Sequence, residues 1–366
     1  MMKDQLFQEF SIKNMRFKNR FVMAPMTRNF CQNGVPHPDA AEYYSKRAKG
    51  GVGLIITEGV EISHPSSSGY PGCPNLISDK SKRAWEKVIT SVHKEDTKIF
   101  CQLWHVGGIR KPGMYPDPDV PGFTPSGIVK KGKKVAHKMS LDEIEEMIEV
   151  YANDAKTCED LGFDGVEIHG AHGYLVDQFF WEVTNQREDN YGGSFNNRIN
   201  FAKDIISSSK RITSDNFLVG IRFSQWKQQD YEAKIANNID ELNKFISELS
   251  KSCPDFFHAS MRRFWETEFE SSNLNLSACV KQTSNIPVIA VGSVGLDKDF
   301  IKLYQGDHEA KIADFDKLYE MFENDNFDMI AIGRALLSDP NLIGKLQNSH
   351  FKDMIPFDKQ FVEKYV

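Results

Sequence analysis

Short apolar, β-branched runs recur along this chain. Between them lie longer stretches in which apolar residues return every three or four positions. Eight runs stand out: Arg20–Ala24, Val52–Thr57, Lys98–Trp104, Gly165–His169, Phe217–Arg222, Asp255–Ser260, Ile286–Val291 and Met329–Ile332. Several are apolar at nearly every position, the pattern of parallel strands buried on both faces. The intervening spacing predicts helices over Ala40–Lys49, Ser81–Lys94, Leu141–Leu161, Asn197–Arg211, Asp240–Ser250, Ser272–Ser284 and Ala313–Asn324. Ser140-Leu-Asp-Glu143 reads as a capping box that opens the longest of them. Eight strands alternating with helices predict an α/β fold, a (β/α)8 TIM barrel, as a single domain over residues 1–366.

Two segments depart from the repeat. Gly107–Lys138 is too long and too rich in Gly, Pro and Lys for a simple loop. Its Ile128–Val135 part predicts a hairpin turning at Lys-Gly. Its place after the third strand predicts a lid insertion over the C-terminal mouth, about residues 107–138. Asp297–Ile312 reads as a second insertion, before the seventh helix.

Composition narrows the function classes. At 40% hydrophobic over 366 residues the chain can bury a large core. A net charge of −6 and a pI near 6.0 disfavour nucleic acid or an anionic membrane as partner. Mean hydropathy is −0.46, no apolar run is long enough to span a bilayer, and the N-terminus lacks the apolar core of a secretory signal. The six cysteines form no CxxC pair, and Cys101, Cys158 and Cys253 fall in segments that read as buried. The expectation is a cytoplasmic protein with reduced thiols and no metal site.

In a barrel, chemistry gathers at the C-terminal strand ends. Here those ends carry Pro25, Met26, Thr27, Gly59, Gln102, Trp104, Arg222, Ser260, Gly292, Ser293, Gly333 and Arg334. The fourth strand ends His169-Gly-Ala-His172-Gly-Tyr174, two imidazoles and a phenol that could grip a carbonyl oxygen and protonate the carbon beside it. The glycines at the ends of strands seven and eight, with Arg334, suit a phosphate, whose approach to backbone N–H groups a side chain would block. Arg222 ends an apolar strand, so it needs a partner: either a carboxylate such as Glu167 or an anionic cofactor ring.

These residues resemble the old yellow enzyme family of FMN-dependent ene-reductases. The resemblance runs from Phe17-Lys-Asn-Arg-Phe-Val-Met-Ala-Pro-Met-Thr-Arg28 to Ile332-Gly-Arg-Ala-Leu-Leu-Ser-Asp-Pro340. It is most specific over His169–Arg198, with Asn185-Gln-Arg-Glu-Asp-Asn-Tyr-Gly-Gly193 inside it. The resemblance implies tightly bound, non-covalent FMN, with NADPH or NADH as reductant and a small electron-poor alkene as substrate. It places Pro25, Met26, Thr27 and Gly59 against the flavin, Gln102 on its pyrimidine edge and Arg222 beside N1 and O2. Gly292, Ser293, Gly333 and Arg334 would hold the phosphate. His169 and His172 would bind the substrate oxygen, and Tyr174 would donate the proton. Tyr70, Trp104, Phe264 and Trp265 are assigned to the substrate pocket. The implied kinetics are ping-pong, and the implied assembly is a monomer or homodimer. Thr27 stands where one branch of the family has Cys, whereas His172 is Asn in some members.

Three other readings compete. A flavin-free phosphate-binding lyase would need a Schiff-base lysine at a strand end, and none stands there. A non-catalytic flavoprotein redox sensor would not need a proton donor. A metal hydrolase would rest on the HxxH spacing alone.

Overall fold

A computed structural model describes residues 3–299 and 308–365. Its centre is a closed parallel barrel in which strands neighbour one another in chain order. The strands are β1 (Phe21–Met23), β2 (Leu54–Glu61), β3 (Lys98–Trp104), β4 (Gly165–His172), β5 (Leu218–Lys227), β6 (Phe257–Ser260), β7 (Val288–Val291) and β8 (Met329–Ile332). All eight apolar runs become barrel strands. Three of them, β2, β4 and β5, run four, three and five residues past the apolar segment into polar sequence. Register shifts between Ile56 and Gly59 and between Gly170 and His172 accompany two of these extensions. Such bulges re-aim side chains at a barrel rim.

The pleat sorts side chains into two cores. Val22, Leu54, Ile56, Phe100, Leu218, Phe256, Ile289 and Met329 pack inside the barrel. Phe21, Met23, Ile55, Ile99 and Cys101 face the surrounding helices, the alternation that period-two side chains impose. Ile12 and Phe17, on an antiparallel hairpin (Phe10–Ile12 with Met15–Phe17), join the inner core and close one end of the barrel. Gly220 makes room for this filling, because a Cβ there would meet the Phe256 ring at 2.5 Å.

Caps set the helix limits. Ser140 and Glu143 form the predicted capping box, and Gly162, at φ +95°, ends that helix in the left-handed region. Ser78, Ser194, Asn238 and Asn275 each accept from a backbone N–H three residues on. Asn275 therefore starts the helix predicted from Ser272 at Leu276, and the last predicted helix shortens to Asp316–Glu323. Cys101 and Cys158 are buried as expected, but Cys253 is exposed. It sits in a turn at φ +52° beyond the helix that ends at Ser250, not within an element.

The hairpin after β3 is present: Ile128–Lys130 pairs antiparallel with Lys133–Lys134 around Gly132, at φ +72°. Arg110 organises the rest of this segment, donating to the carbonyls of Ser68, Met114, Tyr115 and Val120. Of the second insertion, residues 300–307 lie outside the described residues. Its far end, Glu309–Ala310, pairs with Phe357–Asp358. No described helix is long and apolar enough to cross a membrane.

Candidate active site

The end of β4 turns sharply because two successive residues adopt left-handed backbone, His172 at φ +64° and Gly173 at φ +79°. For a histidine this conformation costs on the order of 1 kcal/mol, so the surroundings must hold it. The Ser224 hydroxyl accepts from the His172 N–H at 2.9 Å, and Gln228 N–H donates to the His172 carbonyl at 3.2 Å. The Gly173 carbonyl accepts from Gln178 and Gln229 side chains at 2.8 and 2.7 Å. The turn gathers the three candidate catalytic rings. His169 and His172 have centroids 5.2 Å apart at 88°, and His169 and Tyr174 are 4.9 Å apart.

Around them the barrel rows align chemistry by register. His169, Arg222 and His258 are neighbours across β4, β5 and β6. Gly59, Gln102 and Glu167 are neighbours across β2, β3 and β4. Glu167 is the hub of the inner polar network. It accepts from Gln102 Nε2 at 2.8 Å and from His258 Nδ1 at 2.6 Å. Arg222 is therefore not a simple ion pair with Glu167. Its Nη2 donates to Ser260 Oγ at 3.0 Å, and the same oxygen lies 2.8 Å from His172 Nε2. Ser260 thus couples the cation to one of the two imidazoles.

Burial, and next the Arg222 charge, hold both His169 and His172 well below the ordinary imidazole range. They are neutral rings with one N–H each. Burial, then the neighbouring Tyr70 phenol, pushes Tyr174 well above the ordinary phenol range, so it keeps its proton.

A cavity of about 340 Å³ opens beside this set. Pro25, Met26, His172, Arg222, Trp226, Ser260, Gly292, Ser293, Gly333 and Arg334 line it. Thr27 is exposed at the end of β1. Gly59 has a packing reason, since a Cβ would lie 2.5 Å from the Trp104 ring. Trp104 in turn stacks on Tyr70 at 5.5 Å and meets Tyr174 edge-on at 5.0 Å. Phe264 and Trp265 do not join this wall. Phe264 N–H bonds the Gly292 carbonyl, and both rings line a separate cavity of about 260 Å³ with Ser293, Leu296 and Phe315. This second cavity shares Ser293 and Leu296 with the first.

Residues 5–353 match the NADH:flavin oxidoreductase / NADH oxidase family. The chain belongs to this family, the old yellow enzymes. Among relatives, an NADH oxidase of Thermoanaerobacter brockii is 31% identical over 346 residues, 92% of this chain. The match spans only 49% of that protein, about half its length. A putative 12-oxophytodienoate reductase 2 of Oryza sativa subsp. japonica is 34% identical over 264 residues, 70% of this chain and 68% of that one. Among solved structures, the old yellow enzyme homologue from Zymomonas mobilis superposes with a TM-score of 0.81 at 26% identity, covering 98% of this chain and 96% of that one.

The old yellow enzyme cofactor FMN fits the residues present. Arg222 Nε and Arg334 Nη1 are buried nitrogens with no hydrogen-bond partner among the described residues. Both residues line the same cavity. Packing does not demand a glycine at 333, where a Cβ would make only ordinary contact, 3.5 Å from Met26 Sδ. The missing side chain there leaves cavity space. Two spare guanidinium donors and an open glycine strand end lining one cavity suit an anionic ligand that carries a phosphate.

Sequence reasoning missed Trp226, which stacks on His172 at 4.3 Å and 17°. It also gave Ser260 and His258 no role. Only the alignment of β5 and β6 beside β4 reveals them.

Proposed function

We propose that this old yellow enzyme is an FMN-dependent ene-reductase. It takes reducing equivalents from NADPH or NADH and delivers them to an α,β-unsaturated carbonyl or nitroalkene. The observation that carries this reading is the meeting of His169, His172 and Tyr174, with His172 lining the cavity that Arg222 and Arg334 also line. The similarity to a putative 12-oxophytodienoate reductase supports it.

FMN, when bound, would supply the hydride chemistry that links nicotinamide oxidation to alkene reduction. Gly292, Ser293, Gly333 and Arg334 hold the phosphate, with Arg334 Nη1 as the spare donor. Pro25, Met26, Thr27 and Gly59 border the ring. Gln102 gives one amide N–H to Glu167, which leaves its second N–H and its carbonyl oxygen for the pyrimidine edge. Arg222 sets a fixed positive charge where the reduced ring carries negative charge.

His169 and His172 donate their N–H groups to the substrate oxygen, on which charge builds during the reaction. Neutral imidazoles suit this role because their donors survive without a second buried cation beside Arg222. Tyr174 protonates the α-carbon as a general acid. The segment Gly107–Lys138 acts as the lid over this face.

The direct test is turnover of cyclohexenone with NADPH under nitrogen. Equimolar cyclohexanone and parallel double-reciprocal lines are expected. Alkene reduction by the reduced enzyme should be flat from about pH 7 to 9, because neither the depressed imidazoles nor the raised phenol titrates there. NADPH oxidation that yields only hydrogen peroxide would defeat this reading.

A further inference from the structure

Behind the His172–Tyr174 turn lies an ion pair that the proposed chemistry does not use. Lys227 ends β5, and Asp177 belongs to the short helix Leu175–Phe180 that follows Tyr174. Both side chains are wholly buried, with Nζ and Oδ1 2.7 Å apart. The remaining ammonium protons go to the carbonyls of Ser224 at 3.2 Å and Gln225 at 3.0 Å. The other Asp177 oxygen accepts the Gly173 N–H at 2.7 Å. Lys227 is also the register partner of His172 across the two strands. All three ammonium protons and both carboxylate oxygens thus have partners, and one of those partners is the N–H of the left-handed Gly173.

Stability alone does not account for this arrangement. Desolvating two charges offsets most of their attraction, and a buried pair can often be replaced by apolar residues of similar volume at no loss. What apolar residues cannot supply is an acceptor aimed at the Gly173 N–H. That bond fixes the His172–Gly173 peptide, and so the directions in which the imidazole before it and the phenol after it leave the chain.

We propose that Asp177 and Lys227 are positioning residues: the buried carboxylate clamps the Gly173 amide, and the ammonium clamps the carboxylate to the end of β5, so that His172 and Tyr174 face the substrate together. This rests on the ene-reductase reading of the same site. The pair acts on substrate binding and protonation, and not on uptake of FMN.

The test uses the FMN-loaded full chain and two double variants. D177L/K227M removes both charges and the acceptor. D177N/K227Q removes the charges but keeps an amide oxygen for Gly173. The probes are the melting temperature, FMN affinity, and the affinity for p-chlorophenol read from its long-wavelength absorption on the flavin.

The apolar variant is expected to fold and hold FMN as the wild type does, and to bind the phenol roughly tenfold more weakly, the loss of one aligned donor. The amide variant should bind phenol within about twofold of wild type. An apolar variant with unchanged phenol affinity would overturn the proposal and leave the pair a stability element. If the apolar variant does not fold, the amide variant decides. FMN retained with a tenfold loss of phenol overturns the clamp, and both retained supports it. A wild-type protein that takes up no FMN sinks the ene-reductase reading instead.

Discussion

Replacing Tyr174 with phenylalanine is expected to slow reoxidation of the reduced enzyme by cyclohexenone by about 10²- to 10⁴-fold, the range of a positioned general acid. Reduction of the enzyme by NADPH should change by less than about twofold, because that half-reaction calls on no proton donor. The substitution deletes one oxygen and keeps the ring. The edge contacts with Trp104 and His169, at 5.0 and 4.9 Å, remain, so the pocket should keep its shape. The phenol is a competent donor because burial holds its proton on throughout the neutral range. Stopped-flow traces of each half-reaction check this separately. Equal slowing in both would show that Tyr174 shapes the pocket and does not deliver the proton.

Arg222→Met should act on the other half-reaction. The guanidinium is buried and donates to Ser260, with Glu167 the nearest compensating charge in its surroundings. Methionine fills much of the same volume and removes the charge. Reduction by NADPH should fall about 100-fold, comparable to removing one preorganised donor from a site of developing charge. The midpoint potential of the bound flavin should fall with it. Saturating FMN should still colour the variant, since Arg334 and the strand ends of β7 and β8 are untouched. An unchanged rate and potential would assign Arg222 to holding Ser260 and His172 alone.

The barrel was legible because parallel strands buried on both faces write themselves as uninterrupted apolar runs. What the runs could not show was how far β2, β4 and β5 continue. The added residues break the apolar pattern, and two of them, His172 and Trp226, line the cavity. The His169, His172 and Tyr174 set was legible because one strand end carries all three. Arg222 was legible as a buried charge, but its partner was not. Glu167 looked available in sequence, and the fold commits it to Gln102 and His258. Trp226 and the Asp177–Lys227 pair escaped notice because only strand register brings them to the turn. Phe264 and Trp265 follow Ser260 closely in sequence, and the bond from Phe264 N–H to the Gly292 carbonyl ties their loop to the end of β7.

In the proposed mechanism one site first accepts reducing equivalents from a nicotinamide and then gives them to an alkene. The most direct measurement is an anaerobic absorption titration of the purified protein, with one equivalent of NADPH followed by one of cyclohexenone. The account predicts yellow protein that bleaches with NADPH and recovers its full flavin spectrum on adding the enone. Colourless protein that takes up no added FMN would contradict it, and so would bleached protein that regains colour only when oxygen is admitted.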